Sequence, residues 1–313
     1  MILTVTLNPS VDINYKLDEF KLDTVNRAMD VVKTAGGKGL NVTRVLHQLD
    51  ENLTTTGFLG GSLGDFIRTE IVNLGIGDHF VNISGHTRNC IALLHEGHQT
   101  EILENGPVIT SEEASTFLRQ YTASVNEVDL VTISGSIPKG LDQGFYSELI
   151  AIANQNKKPV LLDTSGASLR HSLESTHKPF LVKPNIEELA ELHGHELADE
   201  KQIMEAITGP LLEDIPWVVA TLGAEGALVK HENTIYRTYI PAVKAINPVG
   251  SGDSVIAGFA AGITNGLPDE ELIKFGLAMG VLNAMEEKTG FINPEKIEWC
   301  VGEMTVEKLE YNS

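Results

Sequence analysis

The sequence is poor in cysteine, in aromatic rings, in basic charge and in long apolar runs, and each shortage excludes something. Its only cysteines, Cys90 and Cys300, lie far apart in 313 residues without a CxxC pairing. That argues against a disulfide framework and a thiolate zinc site, and it fits a reducing cytoplasm. No uninterrupted apolar stretch reaches the roughly 18 residues of a membrane span, and the start "MILTVTLNPSVD" carries no basic segment ahead of an apolar one. The expectation is a soluble, unprocessed protein. Lys and Arg number 23 against 43 Asp and Glu, a net charge of -20. Such a surface repels nucleic acid and anionic lipid, so neither is an expected partner. Any anion bound here needs a local positive site, which makes a basic residue in a glycine-rich loop informative.

Present instead are short β-branched runs alternating with helical stripes. Aromatics at 6% of a chain that is 42% hydrophobic suit helices packed on a Val/Ile/Leu-rich sheet. The runs "ILTVT" (2–6), "DLVTIS" (129–134), "PVLLD" (159–163), "FLVKP" (180–184) and "WVVATLG" (217–223) read as buried parallel strands. Between them Val42, Val45, Leu46 and Leu49, and then Phe66, Ile67, Ile71 and Leu74, mark helix faces. The order predicts an α/β fold with a doubly wound, mostly parallel sheet, whose ligands bind beyond the carboxyl ends of its strands. Two stretches break the rhythm: residues 13 to 34, alternating through Ile13, Tyr15, Leu17, Phe20 and Leu22, and "RNCIALLHEGHQTEILE" (88–104), two strands around Glu96-Gly97. They predict one small antiparallel sheet, a flap on the core.

Four motifs carry chemistry. "AGGKGLNVTRVL" (35–46) is not a P-loop, because glycine and not Ser or Thr follows Lys38. Gly36, Gly37 and Gly39 let backbone approach a ligand, and Lys38 adds charge where a helix amino end already favours anions. A helix entrance needing left-handed backbone, with Lys38 in water, explains the same residues. "NPVGSGDSVIAGFAAG" (247–262) sets Gly250, Ser251, Gly252 and Asp253 before a small-residue helix, so backbone N–H groups converge into an anion cradle. Asp253 there is either a cap or a general base for a hydroxyl attacking a phosphoryl group. In "KPNIEE" (183–188), Lys183, Asn185 and Glu188 follow a strand, and Asn plus Glu suit magnesium or equally a helix cap. Thr221, Gly223 and Gly226 of "TLGAEG" fit a phosphate loop or a plain hairpin turn. The pairs His95/His98 and His193/His195 are expected in exposed loops without metal, and Cys90 as buried filler. "GGSLGD" lacks dinucleotide-binding spacing, though its Gly60, Gly61 and Gly64 remain candidates for the sugar site.

Taken in order and spacing, "GGKGLNVTRVL", "SGSIP" (134–138), "KPNIEE", "TLGAEG" and "NPVGSGDS" resemble the ribokinase-like (PfkB) sugar kinases over essentially the whole chain. The resemblance implies a three-layer α/β/α core from 1–11, 36–85 and 108–313, with a β-sheet lid from 12–35 and 86–107. It implies ATP and Mg2+, a ketohexose phosphate as the other substrate, and a homodimer paired through the lid. It assigns Asp253 as catalytic base, with Gly250, Ser251 and Gly252 as anion hole. Asp12, Gly37, Lys38, Asn41 and Ser134 would hold the sugar, and Arg27 and Arg88 its phosphate. Lys183, Asn185, Thr221, Gly223 and Gly226 would meet the nucleotide, and Asn185 and Glu188 would organise magnesium. A sensor with the same sites but no turnover is the competing reading, and a carboxylate at 253 speaks against it. An oxidoreductase on a similar sheet is a third.

Overall fold

The runs Ile2–Thr6 and Leu130–Ser134 are buried at every residue, so both faces of those strands are covered. Parallel strands sandwiched between helix layers meet that condition. The computed structural model describes residues 1–309. In chain order the elements begin β1 (Ile2–Thr6), β2 (Ser10–Leu17), β3 (Asp30–Gly36), α1 (Lys38–Gln48), β4 (Leu53–Leu59), α2 (Gly61–Asn73), β5 (Gly77–Asp78) and β6 (Val81–Asn82). There follow β7 (Arg88–His95), β8 (His98–Leu103), α3 (Ser111–Glu127), β9 (Leu130–Ser134), α4 (Phe145–Gln155), β10 (Val160–Asp163), α5 (Gly166–Glu174), β11 (Leu181–Val182), α6 (Ile186–His193) and α7 (Glu200–Thr208). The chain closes with β12 (Trp217–Thr221), β13 (Ala227–His231), β14 (Thr234–Tyr239), α8 (Ser251–Thr264), α9 (Asp269–Ala284), α10 (Ile297–Gly302) and β15 (Thr305–Leu309).

The large sheet runs β15-β14-β13-β12-β11-β10-β9-β1-β4-β5, with β6 also on β4. From β12 to β5 every pairing is parallel, whereas β12 through β15 are antiparallel. Two apolar clusters cover its faces. Helices α1, α2, α8, α9 and α10 contribute to one, and α3 to α7 to the other. Alternation along β1 shows the division, since Ile2 points into the first cluster and Leu3 and Val5 into the second. The expected three-layer α/β/α architecture is therefore present. All five predicted strands fall within two residues of their expected ends, although β11 is trimmed at both and keeps only Leu181 and Val182.

The flap is a separate four-stranded sheet, β3-β2-β7-β8. It is mixed, not wholly antiparallel as expected: β2–β3 and β7–β8 are antiparallel hairpins, but the central β2–β7 pair is parallel. The cause is topological. Chain leaves the core for this sheet twice, at Ser10 and at Arg88, and those positions pair with each other, so both outgoing strands run the same way. Alternation stops at Leu17, and Leu22 in the β2–β3 connection is 83% exposed. The Glu96-Gly97 turn is as expected, with φ of 49° and 78°. His95 and His98 face each other at the ends of β7 and β8 and so are strand residues, while His193 ends α6. Cys90 is half-buried in β7 and not fully enclosed.

Candidate active site

The motifs meet where an open α/β sheet places its ligands, at the carboxyl ends of β1, β9 and β10. Buried polar atoms left without a short protein hydrogen bond concentrate there: Thr6 Oγ1 and Asn8 Oδ1 after β1, Ser134 Oγ at the end of β9, and Arg88 Nε at the root of β7, while both oxygens of Asp163 at the end of β10 meet only lysine ammonium groups at 3.4 Å or more. Folded proteins leave few such groups, so a cluster of them marks ligand-facing surface.

Helix α8 supplies the first wall. Gly250 caps it with φ of 82°, a left-handed turn that also presses against Thr289 Cγ2, where a Cβ would sit only 2.5 Å away. Of the three residues expected to form the cradle, Ser251 already donates its amide to Pro248 O at 3.2 Å, and Ser254 N returns to Gly250 O at 2.9 Å. The carbonyls one turn below, Pro248 O and Val249 O, accept from Ser251 N and Asn283 Nδ2 instead, so among the described residues the amides of Gly252 and Asp253 make no backbone hydrogen bond and are left to donate outward.

Asp253 is 5% exposed, and its Oδ2 accepts from Asn41 Nδ2 at 2.8 Å across 212 residues of sequence. Burial, and after it the negative charge of Asp163, pushes its carboxyl up to about 7, while Asn41, Lys38 and Lys183 pull the other way. A carboxyl with that affinity for protons is suited to take one from a hydroxyl near neutral pH. Asp163 behaves oppositely. Its own burial disfavours charge, but Lys183 Nζ at 3.4 Å and Lys38 Nζ at 3.6 Å outweigh it, and the carboxyl is held below its usual range. Lys183 is buried beside Gly252, where a Cβ would lie 3.0 Å from Nζ. Lys38 keeps 42% of its side chain exposed and feels Asp163, Asp253 and Glu188 together, which raises its pKa. Two lysines and two aspartates thus bridge the start of α1 to the start of α8.

The "GGKG" turn does more in three dimensions than clear space for a ligand. Gly37 adopts φ of 105° as the cap of α1. Gly36 leaves room for the Asp12 carboxylate, whose atoms lie 2.1–2.3 Å from where a Cβ would sit. Gly39 lets α1 lie on β1, since its Cβ would fall 2.2 Å from Thr6 Oγ1. Asp12 on β2 accepts from Ser10 Oγ at 2.7 Å, and burial raises its carboxyl despite Ser10, Arg44 and Arg88. Arg88 donates to Asn8 O at 3.2 Å and Glu104 O at 3.3 Å, close enough to Asp12 to act on it electrostatically. Arg27 is exposed on the β2–β3 connection and, among the described residues, bonds none of these groups.

On the opposite flank, Asn185 and Glu188 form a reciprocal capping box on α6: Asn185 Oδ1 accepts from Glu188 N at 2.7 Å, and Glu188 Oε2 from Asn185 N at 2.9 Å. The capping role of Glu188 is what its hydrogen bonds show, and its charge also reaches Lys38 across the cleft. Among the described residues no group of three or more His, Cys, Asp or Glu could cage a metal. The donor set fits a magnesium ion held mainly by phosphate oxygens and water, as Mg2+ commonly is. Asn185 pairs with Thr221 in an isolated bridge, aligning "KPNIEE" with "TLGAEG". Gly223 and Gly226 carry φ of 59° and 96°, and Gly226 also packs on Thr238 O. Gly60, Gly61 and Gly64 line a different hollow of about 250 Å³ with Arg68 and Asn82, not the cleft.

Sequence reading missed Asp163 and Asn8. Asp163 ends a strand that was recognised and Asn8 follows one, and their position at the carboxyl ends was the available signal.

A carboxyl that takes up protons near neutrality, set against free helix amides, suits transfer of a phosphoryl group to an alcohol, and a large mostly parallel sheet with a small separate one is what the resemblance to the ribokinase-like kinases implied. Residues 5–296 match the pfkB family of carbohydrate kinases, and the chain belongs to that family. It is 48% identical over 299 residues to tagatose-6-phosphate kinase of Staphylococcus epidermidis, covering 95% of this chain and 96% of that protein. A Thermotoga maritima structure described as a possible 1-phosphofructokinase superposes with a TM-score of 0.90 at 27% identity, covering 99% of this chain and 100% of that one. Phosphofructokinase-2 from Escherichia coli in complex with potassium gives 0.88 at 25% identity, over 96% and 98% of the two chains. The chain is thus a sugar-phosphate kinase with ATP as co-substrate.

Proposed function

We propose that this kinase phosphorylates the C1 hydroxyl of D-tagatose 6-phosphate to give tagatose 1,6-bisphosphate, in the breakdown of lactose and galactose in the cytoplasm. The observation that carries the reading is Asp253: a buried carboxyl pushed up to about 7, set beside free helix amides and within the field of Lys38. The similarity to tagatose-6-phosphate kinase supplies the sugar. In this reading Asp12, Gly37, Lys38, Asn41 and Ser134 orient the ketose, and Arg88 and Arg27 meet its 6-phosphate. Asp253 accepts the C1 proton as the oxygen attacks in line. The amides of the α8 turn with Lys183 stabilise charge building on the phosphoryl oxygens, each donor contributing about 3 kcal/mol. Asn185 and Glu188 would hold Mg2+ through water, and the ion would neutralise phosphate charge. Thr221, Gly223 and Gly226 would lie along the nucleotide phosphates.

The lid segments 12–35 and 86–107 would close over the sugar and keep water from competing for the phosphoryl group. Leu22, Val25, Met29, Ile102 and Leu103 on this sheet and its connection are more than half exposed. A patch of that kind is consistent with a homodimer paired through the lids. The test is ADP release with tagatose 6-phosphate, fructose 1-phosphate and fructose 6-phosphate in parallel. A kcat/KM highest for tagatose 6-phosphate is expected, and preference for fructose 1-phosphate would make the chain a 1-phosphofructokinase instead. Asp253→Asn should abolish turnover while ATP binding stays within a small factor, and normal turnover by it would refute the base.

A further inference from the structure

We propose that Arg44, on α1 and outside the substrate cleft, is a positioning residue that couples the root of the lid to Asp253. The proposal rests on the kinase reading above and adds a residue to its machinery. Three acceptors share one guanidinium. Nη2 donates to Ala35 O, at the end of lid strand β3, and Nη1 donates to Thr289 O at 2.8 Å and to Asn41 Oδ1 at 3.1 Å.

The last of these bonds decides how the Asn41 amide faces. An amide has one accepting and one donating end. With Oδ1 held by Arg44, Nδ2 is the end turned to Asp253, where it donates at 2.8 Å. A flipped amide would set an oxygen against the carboxylate that must act as base.

A second branch reaches the cradle. Gly290 packs on the guanidinium so closely that a Cβ would lie 2.7 Å from Nη1. Its amide donates to Asn283 Oδ1 at 2.8 Å, and Asn283 Nδ2 in turn donates to Val249 O at 2.9 Å and Ser251 Oγ at 3.3 Å. Both the base and the turn that carries it therefore lean on Arg44. The Phe291 ring lies 5.3 Å from the guanidinium carbon, and Asp12, Glu70 and Asp253 act on its charge from three elements. A fork holding the lid strand, the base's partner and the cradle loop transmits a shift of β3 to the place where chemistry occurs.

The experiment compares wild type, Arg44→Met, Arg44→Lys, Asn41→Ala and the double variant Arg44→Met/Asn41→Ala in steady-state assays with both substrates. Arg44→Met is expected to lower kcat about tenfold or more with KM for ATP little changed, a split marking an interaction that matters at the transition state. Arg44→Lys should recover part of the loss. If Arg44 acts through Asn41, the double variant is no worse than the poorer single one. Additive losses, or unchanged kcat in Arg44→Met, overturn the proposal while an active wild type keeps the kinase reading standing. Should Arg44→Met not fold, Arg44→Lys decides alone, and wild-type kcat for it overturns the coupling. Hydrogen exchange on the free protein gives a readout independent of turnover: weakening Arg44 should open amides at 35–41 and 249–254 together. Unchanged protection at 249–254 contradicts the proposal.

Discussion

Removing the charge of Asp163 tests the electrostatic design most directly. In Asp163→Asn the carboxylate between Lys183 at 3.4 Å and Lys38 at 3.6 Å becomes a neutral amide of similar shape. Each pair has a gross attraction of about 4–5 kcal/mol at an effective dielectric near 20. The Lys38 pair counts for less, because 42% of that side chain is open to screening solvent. Desolvating the carboxylate offsets several kcal/mol, so the net loss of stability on breaking the cluster is about 3 kcal/mol. The sign with pH follows from the depressed Asp163 carboxyl: its stabilisation is present above the ordinary carboxylate range and is lost as pH falls through the folded value. The variant should thus lose stability at neutral pH and show a shallower acid transition than wild type.

Catalysis gives a sharper readout of the same change. On the proposed role Asp253 must be unprotonated to act as base, so kcat/KM of wild type should rise through an acid limb near about 7. Asp163 is, after burial, the largest cause of that raised value. Without its charge, and with two lysines now uncompensated, the Asp253 carboxylate is favoured. The acid limb should move to lower pH by about one unit, equivalent to about 1.4 kcal/mol. The plateau should also fall about a hundredfold, as both lysines lose their anchor. A pH–rate profile from about pH 5 to about 9, with stability followed by thermal melts, reads both effects. A limb that stays in place or moves to higher pH would show that Asp163 does not set the proton affinity of the base.

Three other substitutions differ in sign or size. Asp253→Asn should raise thermal stability at about pH 8 by on the order of 2 kcal/mol, because a carboxyl raised on folding stabilises below its unfolded value and loses that contribution as pH climbs through about 7. A melting temperature there equal to or below wild type would contradict the raised value. Gly39→Ala should cost about 2–3 kcal/mol, since its Cβ would fall 2.2 Å from Thr6 Oγ1 and 2.7 Å from Val5 O. Gly223→Ala, with open space around it and only φ of 59° to strain, should cost about 1 kcal/mol, and equal losses for the two would refute the packing argument.

Much of the fold was legible because burial on both faces of a parallel strand leaves an unbroken β-branched run, as in Ile2–Thr6, and a covered helix leaves a stripe, as in α1. The mixed pairing of the lid was not, since the direction of β7 beside β2 depends on where the chain re-enters from the core. Local alternation is the same for either direction. The glycine clusters announced a site but not their division of labour. Gly37 and Gly250 serve backbone conformation, Gly39 serves helix packing, and Gly36 makes room for Asp12, which only coordinates distinguish.

The deepest omission was Asp163, and its cause lies in how charge acts at a distance. In sequence it is the last letter of an apolar strand, indistinguishable from a polar residue that ends a run. In space it favours the proton on two neighbours with opposite consequences for charge: it keeps one on Asp253, which becomes neutral more readily, and one on Lys38, which stays cationic. It also pairs with the buried ammonium of Lys183. A single buried anion thus keeps a carboxyl basic and anchors two cations within one cleft. No pairwise motif could reveal that, because the four side chains come from α1, β10, the β11–α6 turn and α8, and their coupling exists only once the sheet has brought those ends together. A base with high proton affinity beside anchored cations is what transfer of a phosphoryl group to an alcohol requires.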